Sequence, residues 1–220
     1  MNRLAIFDCD GTLVDSGATI HRALGTAFAA HGLDPPPRAV SQKVIGLSLD
    51  EAMAALAPEA DAGALSSTYK DAFFAMRGAG EVHEPLYAGI AELIETLHGN
   101  GWLLGVATGK SDRGLMHVLA SHGLTDRFAT LQTADRHPSK PNPAMALAAM
   151  AEAGAARETT VFLGDTGWDM GCARNAGCGA IGAAWGYHDR SELFAEGAHF
   201  VADAPSEVAE LANRWVGTSA

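Results

Sequence analysis

With 48% hydrophobic and 19% charged residues among 220, the chain has the material for a substantial core and is not a disordered segment. A formal net charge of -11 argues against a nucleic-acid binder, which needs basic surface to displace counterions, and against an anionic membrane surface as partner. Its three cysteines, Cys9, Cys172 and Cys178, show no paired short spacing, so they predict reduced thiols and neither a disulfide framework nor a zinc site.

The N-terminus runs directly into an apolar stretch, residues 4–7, that predicts a buried strand. No charged-then-apolar leader precedes it, and no apolar run approaches the ~20 residues of a membrane span, so the cytoplasm is the expected location. The strand ends in Phe7-Asp8-Cys9-Asp10-Gly11-Thr12. Alternation along a strand places Asp8 and Asp10 on one side and Cys9 on the other. Two like charges about 4 Å apart repel by roughly 4 kcal/mol at an effective dielectric near 20, so a metal, a lysine or a proton must offset them. The alternative is a polar turn after an edge strand, because Asp and Gly are common in turns.

Residues 18–31 read as an alanine-rich helix stopped at Gly32, with Asp15 and Ser16 as start residues and Gly17 as a hinge. Three prolines, 35–37, break the chain; helices follow over 38–45, 48–56 and 61–76. Ser48, with Glu51 three residues on, has the capping-box pattern. No strand is evident between residues 16 and 85. From residue 88 the pattern alternates. Helices are predicted over 88–97, 111–122, 143–153, 168–176 and 206–215, and strands over 102–107, 128–131, 160–163, 180–184 and 199–201. Such alternation, with continuously apolar strands, predicts an α/β fold: a Rossmann-like parallel sheet covered on both faces, with sites at the strands' C-terminal ends. The first strand belongs to this sheet. The expected division is therefore a core of residues 1–15 and 86–220, interrupted by an inserted small α-helical cap domain of residues 16–85. An insertion immediately after Asp8 and Asp10 would sit above them as a lid.

Three more strand ends carry polar residues: Thr108-Gly109-Lys110-Ser111, then Ser139-Lys140-Pro141-Asn142-Pro143, then Gly164-Asp165-Thr166-Gly167-Trp168-Asp169. Each alone has a plain explanation as a helix cap or a solvated loop charge; all four strand ends together need four coincidences. The second ends like a Walker A loop, but that pattern requires glycine at position 104, where Leu104 stands.

In this order the four segments resemble the motifs of the haloacid dehalogenase-like superfamily of phosphatases and phosphotransferases. Leu13-Val14-Asp15-Ser16, Lys140-Pro141-Asn142-Pro143 and the stretch 169–177 are similar to its phosphoglycolate phosphatase-like branch. The resemblance implies a Mg²⁺-dependent phosphatase that hydrolyses a small, phosphoglycolate-like phosphate monoester through an aspartyl-phosphate. It implies Asp8 as nucleophile, Asp10 as general acid and base, and Thr108 and Lys140 as catalytic partners. To act as the acid, Asp10 must carry a proton, which a neighbouring carboxylate favours. The metal ligands implied are Asp8, Asp10 through its carbonyl, and Asp165, with Asp169 behind them. Gly11, Thr12, Thr108, Gly109 and Lys140 are the implied phosphate-binding residues. Three carboxylates, Asp8, Asp165 and Asp169, against Lys140 leave a net -2 site, which a divalent cation would balance before a phosphate dianion enters.

The rest of the substrate would be chosen by the inserted helices, where His21, Arg22, Lys43 and Ser48 are candidates and a carboxylate suits Arg22 or Lys43. The implied partner is a small phosphorylated metabolite, with no nucleic acid and no membrane. No apolar stripe stands apart from the core to indicate an oligomeric state. Two alternatives stay open: a mutase of the β-phosphoglucomutase kind, and a non-catalytic phospholigand-binding protein on the same fold. Asp10 counts against a dehalogenase.

Overall fold

The structure, a computed structural model, describes residues 2–218. Its first strand, β1 (Asn2–Phe7), is buried on both faces from Leu4 onward. Ala5 and Phe7 enter one hydrophobic cluster, and Leu4 and Ile6 enter another on the opposite side. That period-2 split makes β1 the centre of a two-faced sheet.

Five further strands, β2 (Trp102–Thr108), β3 (Thr130–Thr133), β4 (Ala155–Gly164), β5 (Gly179–Ala183) and β6 (Phe200–Ala202), complete a parallel sheet of order β3-β2-β1-β4-β5-β6. The chain builds outward from β1 to β3, then returns to β4 on the other side of β1. The switch point lies between β1 and β4, where a crevice opens beyond the strands' C-terminal ends. Asp8 and Asp165 stand at that crevice, each one residue past its strand.

Helices cover both faces. On the Phe7 side lie α5 (Ile90–Gly99), α6 (Asp112–Ser121) and α10 (Pro205–Thr218), whose Ile94, Leu97, Val118 and Val208 join the cluster. On the Ile6 side lie α7 (Ala144–Ala153), α8 (Gly167–Ala176) and α9 (Arg190–Ala195), contributing Met145, Met170 and Leu193. Each fully buried Leu, Ile, Phe or Met side chain contributes about 1.5–3 kcal/mol by leaving water, so the sheet is held from both sides.

Between β1 and α5 the chain forms α1 (Gly17–Ala30), α2 (Arg38–Lys43), α3 (Leu49–Leu56) and α4 (Ala62–Gly78), with no named strand. These helices have their own apolar cluster, built on Leu24, Phe28, Met53 and Leu65. The two crossings that join them to the sheet run side by side. Asp15 N donates to Pro85 O at 2.9 Å, Tyr87 N donates to Leu13 O at 3.0 Å, and Val14 bridges Leu86 antiparallel. Among the described residues, no helix is long and apolar enough to cross a membrane.

Three local expectations are corrected. Ser48 does precede α3, but its side chain makes no cap bond; its amide donates instead to Ser139 Oγ at 2.8 Å, so no capping box forms. Capping boxes occur at Thr166–Asp169 and at Asp189–Glu192; the latter starts α9, a helix absent from the sequence reading. Strand β4 begins at Ala155, well before residue 160, directly after the left-handed Gly154 that ends α7.

Candidate active site

The loop after β1 is set by hydrogen bonds that continue the sheet. Asp8 N donates to Leu163 O at 2.9 Å, and the amides of Leu13 and Val14 both donate to Cys9 O. Gly11 sits at φ 87, a left-handed conformation that disfavours a side chain, and a Cβ there would collide with the Asp165 carboxylate. The turn brings β1 and β4 close enough for Thr12 Oγ1 to donate to Asp165 Oδ1 at 2.8 Å.

Asp8, Asp165 and Asp169 are fully buried, and one oxygen of each lies within 4.8 Å of the others. Lys140, also buried, donates to Asp8 Oδ1 at 2.8 Å and to Asp169 Oδ1 at 2.6 Å. Asp169 Oδ2 accepts from Thr166 N and Thr166 Oγ1, so both its oxygens are committed. Asp165 Oδ2 accepts from Tyr187 N at 2.9 Å. Asp8 Oδ2 is the exception: it is buried and has no partner.

Burial pushes Asp8 up from the ordinary carboxylate range; Lys140 opposes the rise and Asp169 adds to it. Burial also holds Asp165 well above that range, with Asp169 and Asp8 reinforcing it. For Lys140 burial alone would lower the value, but Asp169 and Asp8 outweigh it and hold the ammonium charged. Three buried acids against one lysine leave surplus negative charge on a set of hard oxygen donors. That combination suits a divalent cation of the oxygen-preferring kind.

Asp10 is also in the site, 7% exposed, and its Oδ1 accepts from Lys110 Nζ at 2.7 Å and from the Ser16 hydroxyl. Lys110 reaches on to Glu84 Oε1 at 2.8 Å, and Glu84 O pairs with His122 Nε2. Burial disfavours the Lys110 charge, but Asp10 and Glu84 prevail and raise its pKa well above the ordinary value. Thr108 is buried at the end of β2, its Oγ1 accepting from Lys110 N at 3.2 Å. Beside it, Gly109 lies so close to the carbonyls of Gly46 and Leu47 that a Cβ would collide with Leu47 O. The helical segment therefore sits directly on the loop after β2.

A cavity of about 670 Å³ opens over Asp8, Asp10, Thr108 and Lys110. Of the four residues expected to choose the substrate, Ser48 lines it. The other three are engaged elsewhere. His21 Nδ1 lies 3.0 Å from Ser41 Oγ, Arg22 pairs with Glu81 on the surface, and Lys43 pairs with Glu192 at 2.6 Å. Periodicity identified their helices but not which side of each helix meets the core. Two expected phosphate ligands are also otherwise engaged. The Gly11 amide donates to Val14 O and the Thr12 hydroxyl to Asp165, so both shape the turn. The sequence reading missed Ser16, Glu84, Lys110 and Tyr187. In the sequence Lys110 belongs to the segment that ends like a nucleotide loop, and Tyr187 reaches Asp165 through its backbone amide and the Ser16 amide through its hydroxyl, from a stretch with no motif.

The haloacid dehalogenase-like hydrolase family matches residues 5–183. A protein named "Probable phosphatase IndB" from Dickeya dadantii is 34% identical over 218 residues, covering 97% of this chain and 94% of its own length. A phosphoglycolate phosphatase from Vibrio parahaemolyticus is 30% identical over 223 residues, covering 95% of each chain. The crystal structure of a hydrolase from Pseudomonas syringae superposes with a TM-score of 0.84 at 26% identity, over 97% of this chain and 99% of that one. With its acids at the switch point of the same sheet, the chain belongs to the haloacid dehalogenase-like hydrolases.

Proposed function

We propose that this chain, a phosphatase of that family, hydrolyses small acidic phosphate monoesters through a phosphorylated Asp8, with Mg²⁺ as cofactor. The observation that carries the reading is the asymmetry of Asp8. Lys140 clamps Oδ1, while Oδ2 is the one oxygen of the buried acid cluster without a partner. That oxygen attacks phosphorus as the ester P–O bond breaks, and Asp10 gives its proton to the departing alkoxide. Asp10 then takes a proton from the water that attacks the aspartyl-phosphate; the P–O bond to Asp8 breaks and phosphate leaves. Lys110 and Ser16 fix Asp10 at the cavity wall for both transfers. Thr108 offers a hydroxyl to a phosphoryl oxygen, and Lys140 balances the charge on Asp8. When bound by Asp8, Asp165 and the Asp10 carbonyl, Mg²⁺ supplies positive charge against the phosphoryl oxygens. Asp169, held by Lys140 and Thr166, stands behind these ligands.

Residues 16–85 act as a cap on the core of residues 1–15 and 86–220, opening about 15–17 and 80–85. The substrate is a soluble phosphorylated metabolite met in the cytoplasm, where the three buried cysteines stay reduced. The name of the Vibrio relative supports 2-phosphoglycolate as the shortest member of the class.

Phosphate release from a panel of monoesters with added Mg²⁺ tests the reading. Asp8→Asn should abolish release while the far-ultraviolet circular dichroism spectrum and melting temperature stay near those of the parent. Full activity in that variant, or undiminished activity in EDTA, would remove the mechanism.

A further inference from the structure

The cavity is larger than the chemistry needs. At about 670 Å³ it lies within the ~300–1,000 Å³ that encloses drug-sized ligands, whereas a two-carbon ester fills only the corner by Asp8 and Asp10. Its far wall comes from α4. Tyr69, Phe73 and Arg77 line it at successive four-residue spacings, so one helix face runs from the acids outward. Phe73 is flanked by two cations. Lys110 Nζ lies 5.8 Å from its ring centre and Arg77 Cζ 5.4 Å. At the mouth, Arg113 stacks over Phe74 with Cζ at 4.7 Å, and Phe74 is 57% exposed.

These two arginines differ from Lys110 in one respect. Lys110 is bonded to Asp10 and Glu84, whereas among the described residues neither Arg77 nor Arg113 forms an ion pair. In addition, Arg77 Nε is a buried donor with no acceptor. Buried donors normally find one, so this atom marks a place where an incoming oxygen would be welcome. Acids also line the cavity: Asp50 and Glu51 sit in the first turn of α3, and the Asp135 carboxylate accepts the Asp112 amide. None of them reaches either guanidinium.

We propose that Arg77, assisted by Arg113, is an anion subsite at the outer end of the cavity. The preferred substrate is then a phosphate monoester whose flat or apolar middle lies along Phe73 and whose far end carries a carboxylate or a second phosphate. This rests on the phosphatase reading above and extends it to the part of the cavity lined by Phe73 and Arg77, which that reading leaves unused. The guanidinium presents a planar fork of donors suited to either anion, already held against an aromatic face.

A matched pair of esters tests it: phenyl phosphate, and 4-carboxyphenyl phosphate, which adds a remote carboxylate to the same flat body. The parent protein should prefer the carboxylated ester by about tenfold or more in kcat/KM, the size of one good charge-assisted contact. Arg77→Gln should erase that preference through KM, with kcat and the phenyl phosphate reaction changed by less than about threefold; Arg113→Gln should act in the same direction but less. Arg77→Lys should keep part of the preference. Binding of phenylphosphonate and 4-carboxyphenylphosphonate, measured by calorimetry with Mg²⁺ present, reads the subsite without turnover and is independent of the reaction mechanism. Equal affinity for the two phosphonates in the parent, or equal losses on both in Arg77→Gln, would overturn the subsite. Absence of phosphate release with the binding preference intact would instead overturn the reaction and leave the subsite standing.

Discussion

Replacing Lys140 with methionine removes the only cation that, among the described residues, is bonded to the buried acid cluster, while nearly preserving side-chain length. Lys140, Asp8 and Asp169 have side chains with 0% exposure, and the two contacts are 2.8 and 2.6 Å. Water cannot take over when the ammonium goes, so two carboxylates are left uncompensated. Breaking a buried pair in this way costs about 3–5 kcal/mol. For a chain of this size each kcal/mol lowers the melting temperature by about 2–4 °C, so Lys140→Met should melt roughly 6–20 °C lower in EDTA at pH 8. The cost should shrink toward pH 5, where Asp8 and Asp165, already raised by burial, take up protons and no longer need a counter-charge. Combining Asp8→Asn with Lys140→Met should recover part of the loss, because it removes one of the stranded charges. Thermal melts followed by circular dichroism at both pH values measure all of this. A drop below about 2 °C at pH 8, with no dependence on pH, would refute the reasoning that Lys140 balances a dry cluster.

Two further outcomes are expected. In the metal-free parent, burial raises Asp8 to about 7, so the folded state binds more protons than the unfolded state above the ordinary carboxylate value of 3.8. The Asp8 contribution to stability is then fully present at acid pH and is lost as pH rises through the folded value. Added Mg²⁺ should therefore raise the melting temperature more at pH 8 than at pH 5, and equal shifts at both would argue against cation binding by these acids. Gly109→Ala should push the 46–47 carbonyls off the loop after β2, lowering kcat/KM by about tenfold with the melting temperature little changed, since this contact joins the helical segment to the core and holds neither together. Unaltered steady-state kinetics would show that this close approach does not matter for turnover.

The acids at the strand ends were legible because strand alternation, a parallel sheet and the switch-point rule gather the strand ends, and the family resemblance singled out Asp8, Asp165 and Lys140 among them. Their distances from one another needed the structure, and so did the partner of Asp10. Lys110 lies 100 positions along the chain from Asp10, and Glu84 lies in a crossing segment with no periodic pattern to place it. Ser16 was read as a helix cap, but its hydroxyl turns to Asp10 instead. The cavity-lining side chains of the helical segment were the hardest. The apolar stripe on α4 could as well have been core, and only the docking of the helical segment shows that Phe73 and Arg77 face a cavity. For α9, the capping pair Asp189 and Glu192 was a usable signal, but the helix is too short to show a repeating apolar face.

The paired crossings at Asp15 and Pro85 have a consequence for how this enzyme can diverge. Entry and exit of the helical segment are hydrogen-bonded to each other at 2.9 Å, so the backbone passes between sheet and segment through a single narrow neck, and the other contacts between them are non-covalent. On the proposed mechanism, the α4 groups that meet the outer half of the substrate are carried beyond that neck and the groups that break the phosphate ester lie behind it, apart from Ser16 and Glu84 at the neck itself. If residues 16–85 act as the proposed cap, grafting another helical segment between Asp15 and Pro85 should exchange selectivity and leave the hydrolytic apparatus in place, provided Ser16 and Glu84 are retained at the junction. On that proposal the chain is a reaction centre with a replaceable reading head.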